Sequence, residues 1–393
     1  MAQTNKKVDV VIIGGGASGL MCASLIDNKT VLILEKADRV GKKILATGNG
    51  RCNLTNTAID LKKYNTSLVK PYFDRYAVKE TLDYFNLLGL MTYSDSEGRV
   101  YPTSDSASSV LDVMRLSIEA KNNVSIDCGV NVCNIDYANG SYIIDTGDKI
   151  IEAKELVLSV GSINGEAYLK QLNVPYKPYR KSLGAMQSES NVGLNGIRVD
   201  NVTVTLEIGN KKYSQNGEIL FKDKALSGIV IFNLSAYFAR LNESGAYVHI
   251  NLLGDKEYGE RYNMLTIRKN TLKDRCVRDY FVGMLHKALG QNILNRSGID
   301  INKKVSNMSS DDINALAHIL TDYKVRVMGI ENNNQVHTGG VSLEDMDTNL
   351  QLKNKPNLYA LGELLDVDAE CGGYNLQWAW TSAMVVAEKL NQK

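Results

Sequence analysis

A glycine-rich turn stands directly between an apolar run and a helical pattern near the start of this chain. Residues 8–13 read VDVVII, which is typical of a strand buried on both faces, and Gly14, Gly16 and Gly19 follow in the spacing G-x-G-x-x-G. Gly14 permits a tight turn, Gly16 lets the backbone approach a pyrophosphate, and Gly19 lets the next helix pack closely on the strand. The first turn of that helix then directs free N–H groups at the phosphate. This context predicts a dinucleotide-binding unit.

An acidic residue closes the second predicted strand at the distance that such a unit requires. Glu35 follows the run VLIL, 19 residues after Gly16. Its carboxylate can accept hydrogen bonds from a ribose diol, which favours an adenosine ribose without a 2′-phosphate. The alternative is an ordinary glycine turn followed by a surface glutamate. The cofactor-binding residues predicted from this unit are Gly14, Gly16, Ala17, Ser18, Gly19, Glu35 and Lys36.

Composition excludes several classes of protein. The chain has 393 residues, of which 44% are hydrophobic and 23% charged, as is ordinary for a globular protein of two or three domains. With a net charge of +1, no basic surface for nucleic acid is implied, and no apolar stretch is long enough to span a membrane. The segment before the first strand leaves no room for a signal peptide, so we expect a cytoplasmic protein. The four histidines are scattered, and we predict no metal site.

The periodic patterns predict an α/β core interrupted by an insert. Strands are predicted at 8–13, 30–34, 124–128, 130–136, 141–146, 155–160, 202–208, 323–330 and 335–341, with a turn at 216–217. Helices are predicted at 17–27, 78–88, 105–120, 164–171, 229–241, 264–271, 279–289, 311–321 and 374–390. We therefore predict a discontinuous nucleotide-binding domain (1–185 and 326–393), an inserted β-rich domain (186–254) and an inserted helical domain (255–325).

Seven segments in the right order along the chain resemble those of one flavoprotein family. The two most specific are TGNGRCN, within residues 34–56, and GGYNLQWAW, within residues 362–383. The other five lie at 14–23, 97–110, 158–162, 226–228 and 335–341. The chain thus resembles the BaiN/aminoacetone-oxidase-type FAD flavoproteins, a branch of the three-layer, glutathione-reductase-like FAD fold. The resemblance implies bound FAD, β-rich and helical inserted domains, and no separate NAD(P)H-binding domain. Proposed substrates in the family include amines and steroid-like enones.

Within this resemblance, a glycine-rich basic loop is expected at the cofactor. It supplies backbone N–H donors and a guanidinium that can face the pyrophosphate or the flavin. The alternative is a flexible surface loop. The residues assigned to FAD here are Lys43, Thr47, Gly48, Asn49, Gly50, Arg51, Cys52 and Asn53.

The resemblance also assigns cofactor contacts near the C-terminus. Asp366 resembles the acid that holds ribityl or ribose hydroxyls, and Glu363 is a weaker candidate for the same role. The N–H groups that open the last helix are expected at the flavin N1–C2=O edge, where negative charge gathers on reduction. The alternative is a helix with a glycine-rich entry and no cofactor. The remaining predicted contacts are Val130 beside the adenine, Gly161, Gly362, Gly373, Tyr374, Asn375 and Leu376.

The chain departs from the family pattern at three places. The segment 162–177 is shorter than the corresponding family segment, and this shortened loop is expected over the active site. His337 and Thr338 stand where Thr and Ala are common, and Ala369 stands where a glycine is usual. These changes prevent a direct transfer of substrate identity.

Three residues are candidates for acid–base or nucleophilic work. His337 is expected near the flavin, where an imidazole could serve as an acid or a base, although a lone histidine is more often structural. Cys371 precedes a helix N-terminus, which would lower its thiol pKa, and the alternative is a small packing residue. Tyr101 is a possible substrate-facing donor or an aromatic packing residue.

We therefore predict an FAD-dependent oxidoreductase that transfers hydride between flavin N5 and a small organic substrate. No second G-x-G-x-x-G motif is present, so NAD(P)H is a candidate only as a transiently bound reductant, and oxygen is a candidate acceptor. Neither nucleic acid nor membrane is an expected partner. The alternative is a flavoprotein without metabolic turnover, such as a redox sensor or an FAD-dependent RNA-modifying factor. A third hypothesis is an NAD-dependent enzyme, which would leave the GGYNLQWAW segment without a role.

Overall fold

The computed structural model describes residues 4–191, 193–242, 245–254, 256, 258–331 and 336–392. The chain divides into two compact units. The first consists of Met1–Arg180 with Gln335–Lys393, and the second is the continuous stretch Lys181–Asn334. The predicted division of the insert at residues 254–255 stays a prediction.

The described part of the chain contains strands and helices that alternate through the first unit. The strands are β1 (Thr4–Ile13), β2 (Val31–Glu35), β3 (Thr55–Asn56), β4 (Thr92–Ser94), β5 (Arg99–Pro102), β6 (Val124–Cys128), β7 (Asn134–Ala138), β8 (Ser141–Asp145), β9 (Lys149–Leu158), β10 (Lys177–Ser182), β11 (Met186–Ser188), β12 (Arg198–Ile208), β13 (Lys211–Lys222), β14 (Ala225–Ser227), β15 (Ala246–Asn251), β16 (Tyr323–Ile330), β17 (Val336–Gly340) and β18 (Leu358–Ala360).

The helices of the described residues range from four to eighteen residues. They are α1 (Ala17–Leu25), α2 (Lys42–Ala46), α3 (Lys70–Phe73), α4 (Val78–Leu87), α5 (Ala107–Glu119), α6 (Glu166–Gln171), α7 (Ile229–Leu241), α8 (Tyr258–Thr271), α9 (Lys287–Ser297), α10 (Ser310–Thr321) and α11 (Tyr374–Asn391). No helix in the described ranges combines the length and the apolar character that a bilayer crossing demands.

The central sheet of the first unit brings the two ends of the chain together. Its strand order is β6-β2-β1-β9-β8-β7, and β18 pairs in parallel with β9. Strands β1, β2, β6, β9 and β18 are mutually parallel, and Val10, Val11 and Ile12 in the middle are fully buried. Because parallel strands end at one edge, the loops after β1, β2, β9 and β18 meet there. The predicted Rossmann-like α/β class is confirmed.

The second unit contains a closed barrel and a group of helices. The barrel order is β11-β14-β13-β12-β15-β16. Helix α7 lies on β13, while α10 packs against both α8 and α9 and also contacts β15 and β16. The predicted β-rich and helical inserts are confirmed, and barrel closure leaves none of these strands with an open edge.

Three local predictions were wrong, and glycine geometry explains each of them. The strand predicted at 130–136 begins only at Asn134, because Gly129 adopts φ +71° and turns the chain away from β6. The turn predicted at 216–217 is absent, since β13 continues through it. A side chain at Gly217 would meet Val230 of α7 at 2.7 Å, so glycine there serves helix packing. The helix predicted at 279–289 begins at Lys287, after Gly283 at φ +79°. Of the strand predicted at 335–341, residue 335 lies outside the described residues.

Candidate functional site

A cavity of about 370 Å³ opens at the sheet edge where the strand ends of the first unit meet. It is bounded by the loops after β1, β2 and β9 and by the start of α11. The lining consists of residues 14–18, 35, 37, 39, 41–44, 47, 159–161, 164, 336, 363, 367, 375–376 and 378–379. The cavity therefore joins the N-terminal motif to the C-terminal motif, although more than three hundred residues separate them along the chain.

The three glycines of the first motif have different roles. A Cβ at Gly14, which has φ +103°, would lie 2.6 Å from the carbonyl oxygen of Ser159, and a Cβ at Gly19 would lie 2.1 Å from that of Gly14. These two glycines are required by the fold itself. A Cβ at Gly16 would have no neighbour closer than 4.0 Å, so the fold leaves space on the cavity side. Helix α1 begins at Ala17 without a side-chain cap, which leaves its first N–H groups for a ligand.

The Glu35 carboxylate is fixed at the cavity wall by backbone donors. Its Oε2 accepts the Gly15 N–H at 2.8 Å, and its Oε1 accepts the Ala37 N–H at 2.7 Å. Each oxygen keeps a second lone pair that a ribose hydroxyl can reach. Lys36 is exposed and outside the lining. Val130 donates its N–H to the Glu35 carbonyl at 3.0 Å, so a backbone bond from Val130 to adenine would have to use its carbonyl oxygen.

The TGNGRCN segment is held by the protein, unlike a flexible surface loop. Thr47 lines the cavity, whereas residues 48–53 lie outside the lining. Gly48, Asn49, Gly50 and Cys52 all have positive φ, and Cys52 is fully buried, which raises the pKa of its thiol to about 11.

Two side chains tie this segment to its surroundings. With its amide oriented to satisfy both neighbours, Asn53 accepts the Gly373 N–H and donates to the Thr55 carbonyl, each at 3.0 Å. The Arg51 guanidinium lies 4.5 Å from the centre of the Tyr101 ring, in a cation–π contact. The loop thus supports the start of α11 through Asn53.

The first residues of α11 do not all face the same place: some line the cavity and others are packed in the protein core. Asn375 and Leu376 line the cavity. The Asn375 side-chain amide also forms two hydrogen bonds with the backbone of Ala369: it accepts the Ala369 N–H and donates to the Ala369 carbonyl, each at 3.0 Å. Tyr374 is buried: its hydroxyl accepts the Asp60 N–H at 3.2 Å, and its carbonyl accepts the Tyr64 hydroxyl at 2.7 Å. A Cβ at Gly373 would lie 2.4 Å from the Thr55 carbonyl oxygen. The side-chain positions of Gly373 and Tyr374 therefore face protein.

The ranking of the two C-terminal acids is reversed by the structure. Glu363 lines the cavity, forms an ion pair with Lys43 at 2.5 Å, and accepts the backbone N–H of His337 at 3.0 Å. Asp366, the preferred acid in the sequence, is buried outside the lining and pairs with Lys177 at 2.8 Å. Glu363 is thus better placed to meet cofactor hydroxyls. Among the predicted glycines, Gly161 lines the cavity, while Gly362 accepts the Trp378 indole N–H at 3.1 Å.

The three catalytic candidates are not brought together in the cavity lining. His337 is buried beside Val336, which lines the cavity, and its Nδ1 lies 2.9 Å from the Ser162 hydroxyl. Tyr101 is buried beneath Arg51 and lies outside the lining. Cys371 departs from expectation: burial, with a contribution from Glu370, raises the pKa of its thiol to about 12. Burial outweighs the helix N-terminus, so the lowered pKa predicted for Cys371 was wrong.

Sequence reasoning missed several lining residues. Arg39, Ser159, Val160, Asn164, Val336 and Trp378 contribute to the cavity wall. Ser159 and Val160 directly follow β9, and their position at the carboxyl end of a parallel strand was the available signal. Within the described ranges, no group of three or more His, Cys, Asp or Glu residues is arranged to hold a metal ion.

The cavity fits the cofactor that the motifs predict. The space at Gly16 and the uncapped start of α1 suit a pyrophosphate, and the fixed Glu35 carboxylate suits the adenosine ribose. Val336, Val367 and Leu376 supply apolar lining, as a flavin ring requires.

Comparison with known proteins agrees with this geometry. The model of the HI0933-like protein Rossmann domain matches residues 8–389. The chain belongs to this family. It is also 32% identical to a 3-dehydro-bile acid delta(4,6)-reductase of Clostridium scindens, with 94% of this chain and 96% of that protein covered. The family that TGNGRCN and GGYNLQWAW predicted is thereby confirmed, and this HI0933-like chain is an FAD-dependent oxidoreductase.

Two further similarities were found. A ribosomal RNA dihydrouridine synthase of Escherichia coli is 28% identical, with 98% of each chain covered. A solved structure of an E. coli quinol fumarate reductase FrdA mutant matches with a TM-score of 0.51 and 12% identity, over 99% of this chain and 70% of that one. At 12% identity, this match shows only that the two proteins have a similar fold.

The raised pKa of Cys371 leads to a testable difference in thiol reactivity. With a pKa of about 12, only about one Cys371 thiol in ten thousand is ionised at pH 8, and thiolate is the form that alkylates. We expect brief iodoacetamide treatment at pH 8 to modify the exposed Cys133 and leave Cys371 largely unmodified, as read by peptide mass spectrometry. The rate at Cys371 should rise about tenfold per pH unit. Rapid modification of Cys371 at pH 7 would show that its pKa is low after all.

Proposed function

We propose that this chain reduces a carbon–carbon double bond conjugated to a carbonyl group. The observation that carries the proposal is the cavity, in which the nucleotide motif and the C-terminal flavin motif share one wall. The names of two relatives, matched over nearly their full length, describe the same bond change on different molecules. A bile-acid delta(4,6)-reductase saturates double bonds conjugated to a ketone, and a dihydrouridine synthase saturates the ring double bond of uracil.

The residues of the cavity have separate tasks in this reaction. FAD, when bound, supplies hydride chemistry at N5. The first turn of α1 and the space at Gly16 would hold the pyrophosphate, Glu35 would orient the ribose, and Glu363 with Lys43 would be available to the ribityl or phosphate groups. The N–H groups at the start of α11 would be available to stabilise negative charge on the flavin ring.

Saturation of the double bond also requires a proton. The Cys371 thiol carries one throughout the neutral range, because burial raises its pKa to about 12. A pKa so far above neutrality makes Cys371 a poor nucleophile and a poor general acid, and the residue lies outside the cavity lining. His337 is therefore the preferred candidate donor, since its Nδ1 lies 2.9 Å from the Ser162 hydroxyl and the residue adjoins cavity-lining Val336.

We propose NAD(P)H as the transient reductant and a small molecule as the substrate. The chain has no second G-x-G-x-x-G motif, so the nicotinamide would enter the substrate cavity and leave before the substrate binds. A uridine base within RNA is the second candidate substrate, favoured by the 28% identity to the dihydrouridine synthase over 98% of both chains.

The test is an anaerobic titration of the purified, FAD-loaded protein. We expect NADPH or NADH to bleach the flavin absorbance, and a cyclic enone, such as a 4-en-3-one steroid, to restore it with formation of the saturated ketone. The matched control is the saturated ketone itself, which should restore nothing. If neither nicotinamide bleaches a fully yellow protein, the reductase proposal is rejected in favour of an oxidase or dehydrogenase that draws electrons from its own substrate.

A further inference from the structure

The segment 366–371, shortly before α11, contributes to the cavity wall through an apolar side chain. Val367 is 3% exposed and lines the cavity, and its two neighbours along the chain are aspartates. The segment is neither helix nor strand, so its conformation depends on the groups that bond to its backbone. The residues that hold the backbone on both sides of Val367 therefore decide how this part of the wall is presented to a ligand.

An asparagine from a distant part of the chain holds both sides of Val367. The Asn65 side-chain amide donates to the Asp366 carbonyl at 3.1 Å and accepts the Asp368 N–H at 3.0 Å. The backbone N–H of Asn65 also donates to the Asp368 carbonyl, at 3.0 Å. Asn65 is thus bonded to the residue before Val367 and to the residue after it, although about three hundred residues separate them along the chain.

The neighbour of Asn65 extends this contact to α11. Tyr64 lies opposite Ala369 in an isolated antiparallel bridge, and its hydroxyl donates to the Tyr374 carbonyl at 2.7 Å. Ala369 is bonded in turn by the amide of Asn375, which lines the cavity. Two asparagine amides therefore hold the segment, but only that of Asn375 belongs to a lining residue, since Asn65 lies outside the lining.

We propose that Asn65 is a positioning residue for FAD, because its amide fixes the backbone that presents Val367 to the cavity. A backbone held in its binding conformation in advance lowers the ordering cost of binding. The two groups that flank Val367 need one donor and one acceptor, and a side-chain amide supplies both. The inference rests on the assignment of the cavity to FAD within the proposed function, and it is independent of the reduction of an enone.

Asn65→Asp tests the amide with almost no change of shape. At about pH 8 the new carboxylate can still accept the Asp368 N–H, but it cannot donate and it faces the Asp366 carbonyl oxygen. Protonation restores a donor beside an acceptor, so binding of FAD should favour the protonated form and should improve as the pH falls to about 5. FAD-loaded protein is diluted in steps at each pH, and the released FAD is measured by its fluorescence.

We expect Asn65→Asp to bind FAD about 10-fold more weakly than wild type at about pH 8, but only about threefold more weakly at about pH 5. Asn65→Ala, which removes both the donor and the acceptor, should bind FAD about 10-fold more weakly at both pH values. The matched control is Asn86→Ala, at an exposed asparagine of α4, which should bind FAD as wild type does.

Equal FAD binding by Asn65→Ala and wild type overturns the proposal, and so does a loss in Asn65→Asp that does not change with pH. A purely structural role would instead lower the thermal midpoint of FAD-free Asn65→Ala by more than about 5 °C, which also overturns it. Enone reduction with NADPH is measured on the wild type separately. Its absence rejects the proposed reaction alone, whereas a wild-type protein that holds no FAD rejects both proposals.

Discussion

Gly16→Val is expected to give a folded protein that purifies without colour. A Cβ at this position would have no neighbour closer than 4.0 Å in the protein, so the free energy of unfolding should change by no more than about 1 kcal/mol, as for other substitutions at a helix N-cap. The branched side chain would fill the space required by the pyrophosphate. A steric conflict of about 3 kcal/mol corresponds to FAD binding about 100-fold weaker. The flavin absorbance per protein and the thermal midpoint, measured together, check both expectations.

Two further glycine variants make this result interpretable. Gly259→Ala, in α8, has no atom within 4 Å of the new Cβ and should remain both yellow and stable. Gly14→Ala should lose stability even in the absence of FAD, because the backbone is left-handed there and Ser159 lies 2.6 Å away. A fully yellow Gly16→Val protein would contradict the assignment of the cavity to FAD. Gly373 is a poor site for such a test, because a new side chain would strike Thr55.

Gln377→Ala is expected to destabilise the first unit by about 3 kcal/mol. Gln377 is fully buried in α11, where its Oε1 accepts the Thr55 hydroxyl at 2.5 Å and its Nε2 donates to Thr81 at 2.8 Å and to Thr381 at 3.0 Å. Truncation leaves a cavity and removes the acceptor of the buried Thr55 hydroxyl. We expect the thermal midpoint of the first unit to fall by roughly 10 °C, measured by circular dichroism.

The matched control is Gln291→Ala, at an exposed position of α9, which should change stability by less than about 0.5 kcal/mol. An unchanged midpoint for Gln377→Ala would show that the buried amide network contributes nothing net. In the expected case, FAD binding should weaken as well, because Gln377 anchors the helix whose first turn lines the cavity.

Much of the fold was predictable because its signals are local. The apolar run, the glycine turn and the closing acid of β2 lie within 35 residues, and the helices α1, α4, α7 and α10 appear almost at their predicted bounds. Two of the errors lie beside glycines with positive φ, Gly129 and Gly283, and the third was decided by a distant contact. The sequence around Gly217 predicts a turn, yet Gly217 lies within β13, where α7 packs against it.

The candidate site was predicted at the level of segments and less well at the level of side chains. Glu35 and Asn375 reach the cavity, whereas Tyr374 and Asp366 face the core or another side chain. For Cys371, the nearby helix N-terminus suggested a low pKa, but desolvation in the folded protein raises it. Burial depends on the whole tertiary structure, and no local pattern reports it.

The sequence by itself determined the nucleotide-binding βαβ unit, the flavoprotein family and the presence of β-rich and helical inserts, since these follow from periodicity and from motifs with a specific spacing. Only the tertiary structure decided which residues of the GGYNLQWAW segment line the cavity and which hold the helix in the core. Asn375 and Leu376 line the cavity, while Gln377 and Trp380 hold the helix through bonds to Thr55, Thr81 and Leu54. Those partners lie some three hundred residues away, and long-range hydrogen bonds between buried groups exist only once the chain has folded.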